Sequence, residues 1–260
     1  MHRRTPAVAG VVALILLLAA PWALAADASG RAEHTRHRAV ARPVPTPTTP
    51  PKPGQAAAVP QRVTGPFGTQ RTTGRKQVAL TFDDGPDPVW TPKLLDQLRT
   101  AKVSATFCVI GTQVRRHPAL VARIVREGHT LCNHSWRHEF NLGKLPAATI
   151  RADLVRTNRE IQRAVPGAKI RYFRQPGGKW TARVVAVARE LGMIPLGWDV
   201  DPRDWAKPGA KAIRTRVVQQ ARPGSIVLLH DGGGNRKGTL AACPTVIAAL
   251  RQKYGITQLR

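Results

Sequence analysis

From Gln77 onward, short apolar runs alternate with longer stretches of helical periodicity. "QVALTF" precedes an amphipathic stretch around "TPKLLDQLRT", in which Thr91 is placed to cap a helix and Pro92 to begin it. "SATFCVIG" precedes "HPALVARIVREG", and "HTLCNHS" precedes "TIRADLVRTNREIQRAV", where Ile150, Leu154, Ile161 and Val165 line one helical stripe. "IRYFRQP" before "TARVVAVARELG", "MIPLGWDVD" before "AKAIRTRVVQQA", "SIVLLHD" before "CPTVIAALRQKYG" and a closing "ITQLR" bring the count to about seven βα-like units, with no internal sequence repeat. Such alternation builds an α/β fold, a parallel sheet covered by helices, either closed into a (β/α) barrel or left open and doubly wound.

The first 76 residues read differently. Residues 1–26 have a basic start, an apolar run from about Ala7 to Leu18 and a small-residue stretch "ALAA", the pattern of an export signal cleaved near Ala25 or Ala26. That run is shorter than the ~20 residues that span a bilayer, so removal is expected over retention as an anchor. Residues 27–76 are rich in Pro, Thr, Ala and Arg and hold too few large apolar residues for a core, so a disordered linker is expected ahead of one catalytic domain at 77–260.

Charge narrows the surroundings. Residues 77–260 carry 30 basic and 13 acidic residues, a net charge of +17. Such a domain attracts polyanions, but its basic residues are scattered over many helix faces and form no nucleic-acid-binding motif. A secreted monomer held near an anionic cell envelope is expected, and nucleic acid is not. Of three cysteines, Cys108 and Cys132 fall in consecutive strand-like runs, which makes them the expected disulfide and leaves Cys243 over.

Residues with acid–base or metal-ligand chemistry cluster at the carboxyl ends of the strand-like runs: Asp83 and Asp84, His134, Arg174, Asp199 and Asp201, His230 and Asp231. A barrel gathers those ends around one mouth, whereas an open sheet strings them along an edge, so five contributing runs favour the barrel. In "HSWRH", His134 and His138 at i and i+4 are expected to share one face of a helical turn. With Asp84 they form an Asp-His-His set that leaves a coordination position open, as catalytic zinc sites do. Asp83 is then free to act as a general base. His230 is a second acid–base candidate, with Asp201 or Asp204 of "WDVDPRDW" available to orient it.

In order and spacing, "TFDDGP", "HSWRH", "RYFRQPGG", "DPRDW" and "VLLH" resemble the five motifs of the polysaccharide deacetylases, the NodB-homology domain of carbohydrate esterase family 4. The resemblance spans roughly residues 77–255. It implies a distorted (β/α) barrel, Asp83 as base, His230 as acid, and a divalent metal, most often Zn2+ with Co2+ or another ion as the alternative, on Asp84, His134 and His138. It further implies that Arg174 tethers Asp83, that Asp201 pairs with His230, and that Trp205 and Leu228 line the pocket for the acetyl methyl. Where the family usually reads Arg-Pro-Pro-Tyr-Gly, this chain has Arg174-Gln175-Pro176-Gly177-Gly178, so the groove lacks an aromatic ring. The resemblance implies that the Gly177 N–H stabilises the oxyanion, and Trp180 is the expected partial replacement for the ring. The expected activity is removal of the N-acetyl group from N-acetylglucosamine units of peptidoglycan or chitin. De-O-acetylation of acetylxylan and a non-catalytic wall-binding domain are the alternatives.

Overall fold

The computed structural model describes residues 63–260. The export signal and residues 27–62 of the expected linker lie outside the described residues. Residues 63–76, assigned by composition to the linker, belong to the folded body instead. Thr69, Gln70, Thr72 and Thr73 are buried, and backbone bridges tie Gln70 to Leu196 and Thr72 to Ser225. Their polar composition hides this, because they are held by hydrogen bonds rather than by apolar burial.

Six parallel strands form one curled sheet in the order β5-β4-β3-β2-β1-β6: β1 Ala79–Asp83, β2 Thr106–Val109, β3 Thr130–Asn133, β4 Tyr172–Phe173, β5 Ile194–Pro195 and β6 Ile226–His230. The connecting helices are α1 Trp90–Thr100, α2 Gly111–Arg116, α3 Pro118–Arg126, α4 Ala147–Ala164, α5 Ala182–Glu190 and α6 Ala210–Gln220, followed by α7 Lys237–Tyr254. The expected distorted barrel is the fold found. Two of the seven expected strands are reduced. "ITQLR" contributes a single bridge, Ile256 to Val78, and "MIPLGWDVD" pairs with β4 at its start and otherwise makes only isolated bridges, at Leu196 and Val200.

That fifth segment closes the ring. Its start pairs with β4, its Val200 bridges Val227 of β6, and Gln70 fills the space beside Leu196 between them. Leu228 N donates to Val200 O at 2.9 Å and Gly197 N to Gln70 O at 2.8 Å, so the gap between the edge strands is spanned by loop hydrogen bonds rather than by a ladder.

The two-residue alternation of each strand sorts side chains between inside and outside. Leu80, Phe82, Phe107, Val109, Val227 and Leu229 point outward into the main core beneath the helices, where Leu94, Leu95, Leu98, Ile124, Val217 and Leu250 meet them. Ala79, Cys108, Cys132, Tyr172, Leu196 and Ile226 make a smaller cluster on the other face. Cys108 and Cys132 are register partners in β2 and β3 and are joined by a disulfide, as their adjacency in sequence order suggested. Two local expectations change. Thr91 lies inside the first turn of α1, while Asp87 Oδ1 accepts from the Val89 and Trp90 amides at 2.8 and 3.0 Å. The last helix begins at Lys237, ahead of Pro244 rather than near it.

Candidate active site

Continuing the same alternation to the carboxyl ends of the strands puts Asp83 and His230, register partners in β1 and β6, side by side at the barrel mouth. They line a groove of about 670 Å3 together with Asp84, His134, His138, Gly177, Asp201, Trp205 and Leu228.

Arg174 follows β4 and runs across the interior as the largest fully buried side chain. Its Nη1 donates to Asp83 Oδ1 at 2.7 Å and to Thr81 Oγ1 at 2.8 Å, while Nε and Nη2 each donate at 3.0 Å to the carbonyls of Leu196 and Gly197. A guanidinium satisfied on all three nitrogens is fixed, and it fixes the carboxylate it holds.

Asp84, His134 and His138 bring one ligand atom each within 4.8 Å of one another. Nε2 of His138 and Nε2 of His134 lie 3.2 and 3.5 Å from Asp84 Oδ1, a buried oxygen that accepts no hydrogen bond among the described residues. Nδ1 of His134 donates to the Arg174 carbonyl at 2.8 Å, which leaves Nε2 with its lone pair. An orphaned carboxylate oxygen and convergent imidazole nitrogens fit a divalent cation. Burial works against charge on Asp84, yet the imidazoles of His134, His230 and His138 around it hold its carboxyl well below the usual range. Burial, with the His134 charge adding to it, pushes His138 down.

The two histidines do not share a helical turn. Ser135 and His138 have φ of 65° and 60°, the left-handed region, which no helical turn accommodates. Asn133 Oδ1 accepts from Ser135 N and Asp153 Oδ1 from Trp136 N, both at 2.9 Å, and these side chains shape the loop. Convergence of the rings, 5.0 Å apart at their centroids, thus comes from an irregular loop.

His230 corrects a second expectation. Its Nδ1 lies 2.7 Å from Oδ1 of Asp204, not of Asp201, and its own amide donates to Asp204 Oδ2 at 2.9 Å. Thr239 Oγ1 donates to that same oxygen at 2.7 Å. Burial disfavours the imidazolium, but the Asp204 carboxylate outweighs it and the ring's pKa is raised. Asp201 turns back on its own loop, where Oδ1 accepts from Arg203 N at 2.7 Å while the side chain remains on the groove. Asp199 is drawn away altogether, bound by Ser225 Oγ at 2.6 Å and by Arg222.

Leu228 is buried at the groove floor, and Trp205 is 45% exposed on its rim. Trp180 does not replace a missing ring at residue 177, because it packs edge-on against Phe173 in the core around α5. Arg236 and Phe140 are among the groove residues that the sequence reading did not single out. Arg236, 3% exposed, donates to the Gly232 and Gly233 carbonyls and brings Nη2 to 4.0 Å from Asp84 Oδ2. Phe140 stands beside His138. The Gly-rich "DGGGNR" turn was the available signal for the first, and the second lies only two residues after a ligand candidate.

A carboxylate held by arginine, an imidazole held by carboxylate and three convergent groups able to hold a metal meet at the mouth of a half-closed (β/α) barrel, an arrangement suited to hydrolysis. Residues 70–196 match the family model described as polysaccharide deacetylase. A chitooligosaccharide deacetylase of Sinorhizobium fredii is 40% identical over 191 residues, covering 70% of this chain and 88% of the relative. A peptidoglycan-N-acetylglucosamine deacetylase of Bacillus cereus is 39% identical over 180 residues, 68% of this chain and 83% of the relative. Among solved structures, a pseudoenzyme of carbohydrate esterase family 4 from Bacillus anthracis superposes with a TM-score of 0.66 at 32% identity, covering 71% of this chain and 64% of that one. The chain belongs to the polysaccharide deacetylases of carbohydrate esterase family 4, hydrolases of carbon–nitrogen bonds other than peptide bonds.

Proposed function

We propose that the protein is a secreted, divalent-metal-dependent deacetylase that hydrolyses the N-acetyl group of N-acetylglucosamine units in peptidoglycan or a chitin-like polymer. The observation that carries this is the meeting, in one groove, of Arg174-held Asp83, Asp204-held His230 and the Asp84–His134–His138 donor set.

A cation on Asp84, His134 and His138, for which Zn2+ fits the mixed N/O donors and Co2+ is the alternative, supplies Lewis acidity toward the acetyl carbonyl and a water molecule. Asp83 takes the proton of the water that adds to the carbonyl carbon, and Arg174 keeps that carboxylate aimed. Gly177 N–H, on the groove wall, donates to the developing oxyanion. His230 gives its proton to the departing nitrogen, so acetate and a free amine leave, and Asp204 favours the imidazolium this step requires. Leu228 and Trp205 close around the acetyl methyl.

The relatives named for chitooligosaccharide and for peptidoglycan favour an amide substrate over the acetyl ester of xylan. The +17 charge of the domain suits residence at an anionic wall. Metal analysis of the purified protein, joined to acetate release from peptidoglycan, chitin oligomers and acetylxylan in parallel, tests the reading. Release from the first two substrates supports it, and release from acetylxylan alone converts it to an esterase. The Bacillus anthracis pseudoenzyme shows that the fold alone does not guarantee turnover. Metal-free protein and no acetate from any glycan would instead make this chain a non-catalytic wall-binding domain.

A further inference from the structure

Phe140 and Gly177 compete for one space. A Cβ built on Gly177 would lie 2.6 and 2.7 Å from Phe140 Cδ1 and Cε1, closer than carbon atoms approach, and Gly177 has φ of +61°. The Phe140 ring meets that of His138 edge-on, with centroids 4.7 Å apart, and carries Lys179 Nζ 5.3 Å from its centroid. With those neighbours it is nevertheless 46% exposed and lines the groove. Trp205, the other large exposed ring there, is 45% exposed. Half-exposed rings facing a groove that also holds the polar machinery are the pattern of a ligand site, in which apolar surface waits for an apolar face. A pyranose ring supplies such a face through its axial C–H groups, and its hydroxyls remain free for polar partners.

We propose that Phe140 is a specificity-determining residue, the platform on which a pyranose ring of the substrate stacks, and that it occupies the space an aromatic side chain at residue 177 would need. The proposal rests on the deacetylase reading above and adds to it the wall that holds the sugar. Phe140 comes from the loop that carries His138, so the platform and the metal donors are positioned by one segment. Gly177 is the complement, a residue small enough to let that ring in.

The test uses the full chain with Phe140→Ala, Phe140→Tyr, Gly177→Ala and the Phe140→Ala/Gly177→Ala pair, and an N-acetylglucosamine tetramer as the probe. Phe140→Ala is expected to raise KM about tenfold, the worth of one lost ring contact, with a smaller change in kcat, and Phe140→Tyr to restore KM. Gly177→Ala is expected to lower the melting midpoint more in the presence of Phe140 than in the Phe140→Ala protein, because removal of the ring relieves the clash and leaves only the backbone cost. Unchanged KM, a fall in kcat alone, loss of bound metal from Phe140→Ala, or additive midpoint shifts would each overturn the proposal. If the unaltered protein releases no acetate, the deacetylase reading fails by itself. Calorimetric binding of the tetramer then decides the platform, with about tenfold weaker binding expected for Phe140→Ala and equal binding counting against it.

Discussion

Arg174 Nη1 donates to Asp83 Oδ1 at 2.7 Å across the barrel, from the strand end that follows β4 to the end of β1, with both side chains buried. The arginine is held in turn by Thr81 and two carbonyls, so the carboxylate rests on a rigid cation. Replacing Arg174 by Met leaves Asp83 buried without its arginine donor, with only His134 Nε2 at 3.7 Å nearby. A loss of about 3–5 kcal/mol in unfolding free energy is expected in denaturant titrations, together with loss of turnover.

Asp83→Asn keeps the shape and removes the proposed base. Acetate release is expected to fall about a thousandfold while bound metal is retained. A fully active Asp83→Asn protein would show that another group takes the proton.

With His230 as the proposed acid, it and its partner are expected to set the alkaline limb of the pH profile. The ring's raised pKa keeps the acid form populated to higher pH, so activity is lost as pH rises through that folded-state value. Asp204→Asn removes the cause, and the limb should move to lower pH, with kcat down about a hundredfold. Asp201→Asn leaves the His230 hydrogen bond intact and should leave the limb in place. Profiles of kcat for the two variants separate the assignments.

A cation held on the unpaired oxygen of Asp84, as proposed, would link metal binding to stability. Ligand at a hundredfold excess over its Kd adds about 2.7 kcal/mol of stability, so stripping with a chelator should lower the melting midpoint by several degrees and re-addition should restore it. Asp84→Asn should abolish that shift in calorimetry.

Burial raises the Asp153 carboxyl to about 6, and the Trp136 amide hydrogen bond and Arg156 charge offset this only partly. Because the folded pKa exceeds the unfolded value, the native state binds the extra proton. Stability from this group is therefore complete below about pH 4 and is lost as pH rises through about 6. Asp153→Asn retains an acceptor for Trp136 N and should flatten that limb, gaining about 2 kcal/mol at pH 8 in urea titrations.

The barrel and most of its mouth were legible in the sequence because both depend on local order. A period of two places Ala79, Thr81 and Asp83 on one face of β1 and Leu80 and Phe82 on the other, and strict βα alternation forces the strands parallel. Asp83, Asp84, His134, Arg174 and His230 therefore had to arrive at one end. Contacts that depend on a side chain's direction after the chain leaves its strand were decided by tertiary structure. Asp201 and Asp204 are three residues apart and chemically identical. Arg203, at φ 57°, turns the chain so that Asp201 folds onto the Arg203 amide while Asp204 swings beneath His230. Left-handed Ser135 and His138 replace the helical turn that an i, i+4 spacing suggests, and buried threonines tie residues 63–76, which composition had assigned to the linker, into the ring. Pattern specifies which face a residue takes along a regular element. Outside such elements, backbone dihedrals and hydrogen bonds to residues distant in sequence choose between equivalent side chains, and these exist only in the folded chain.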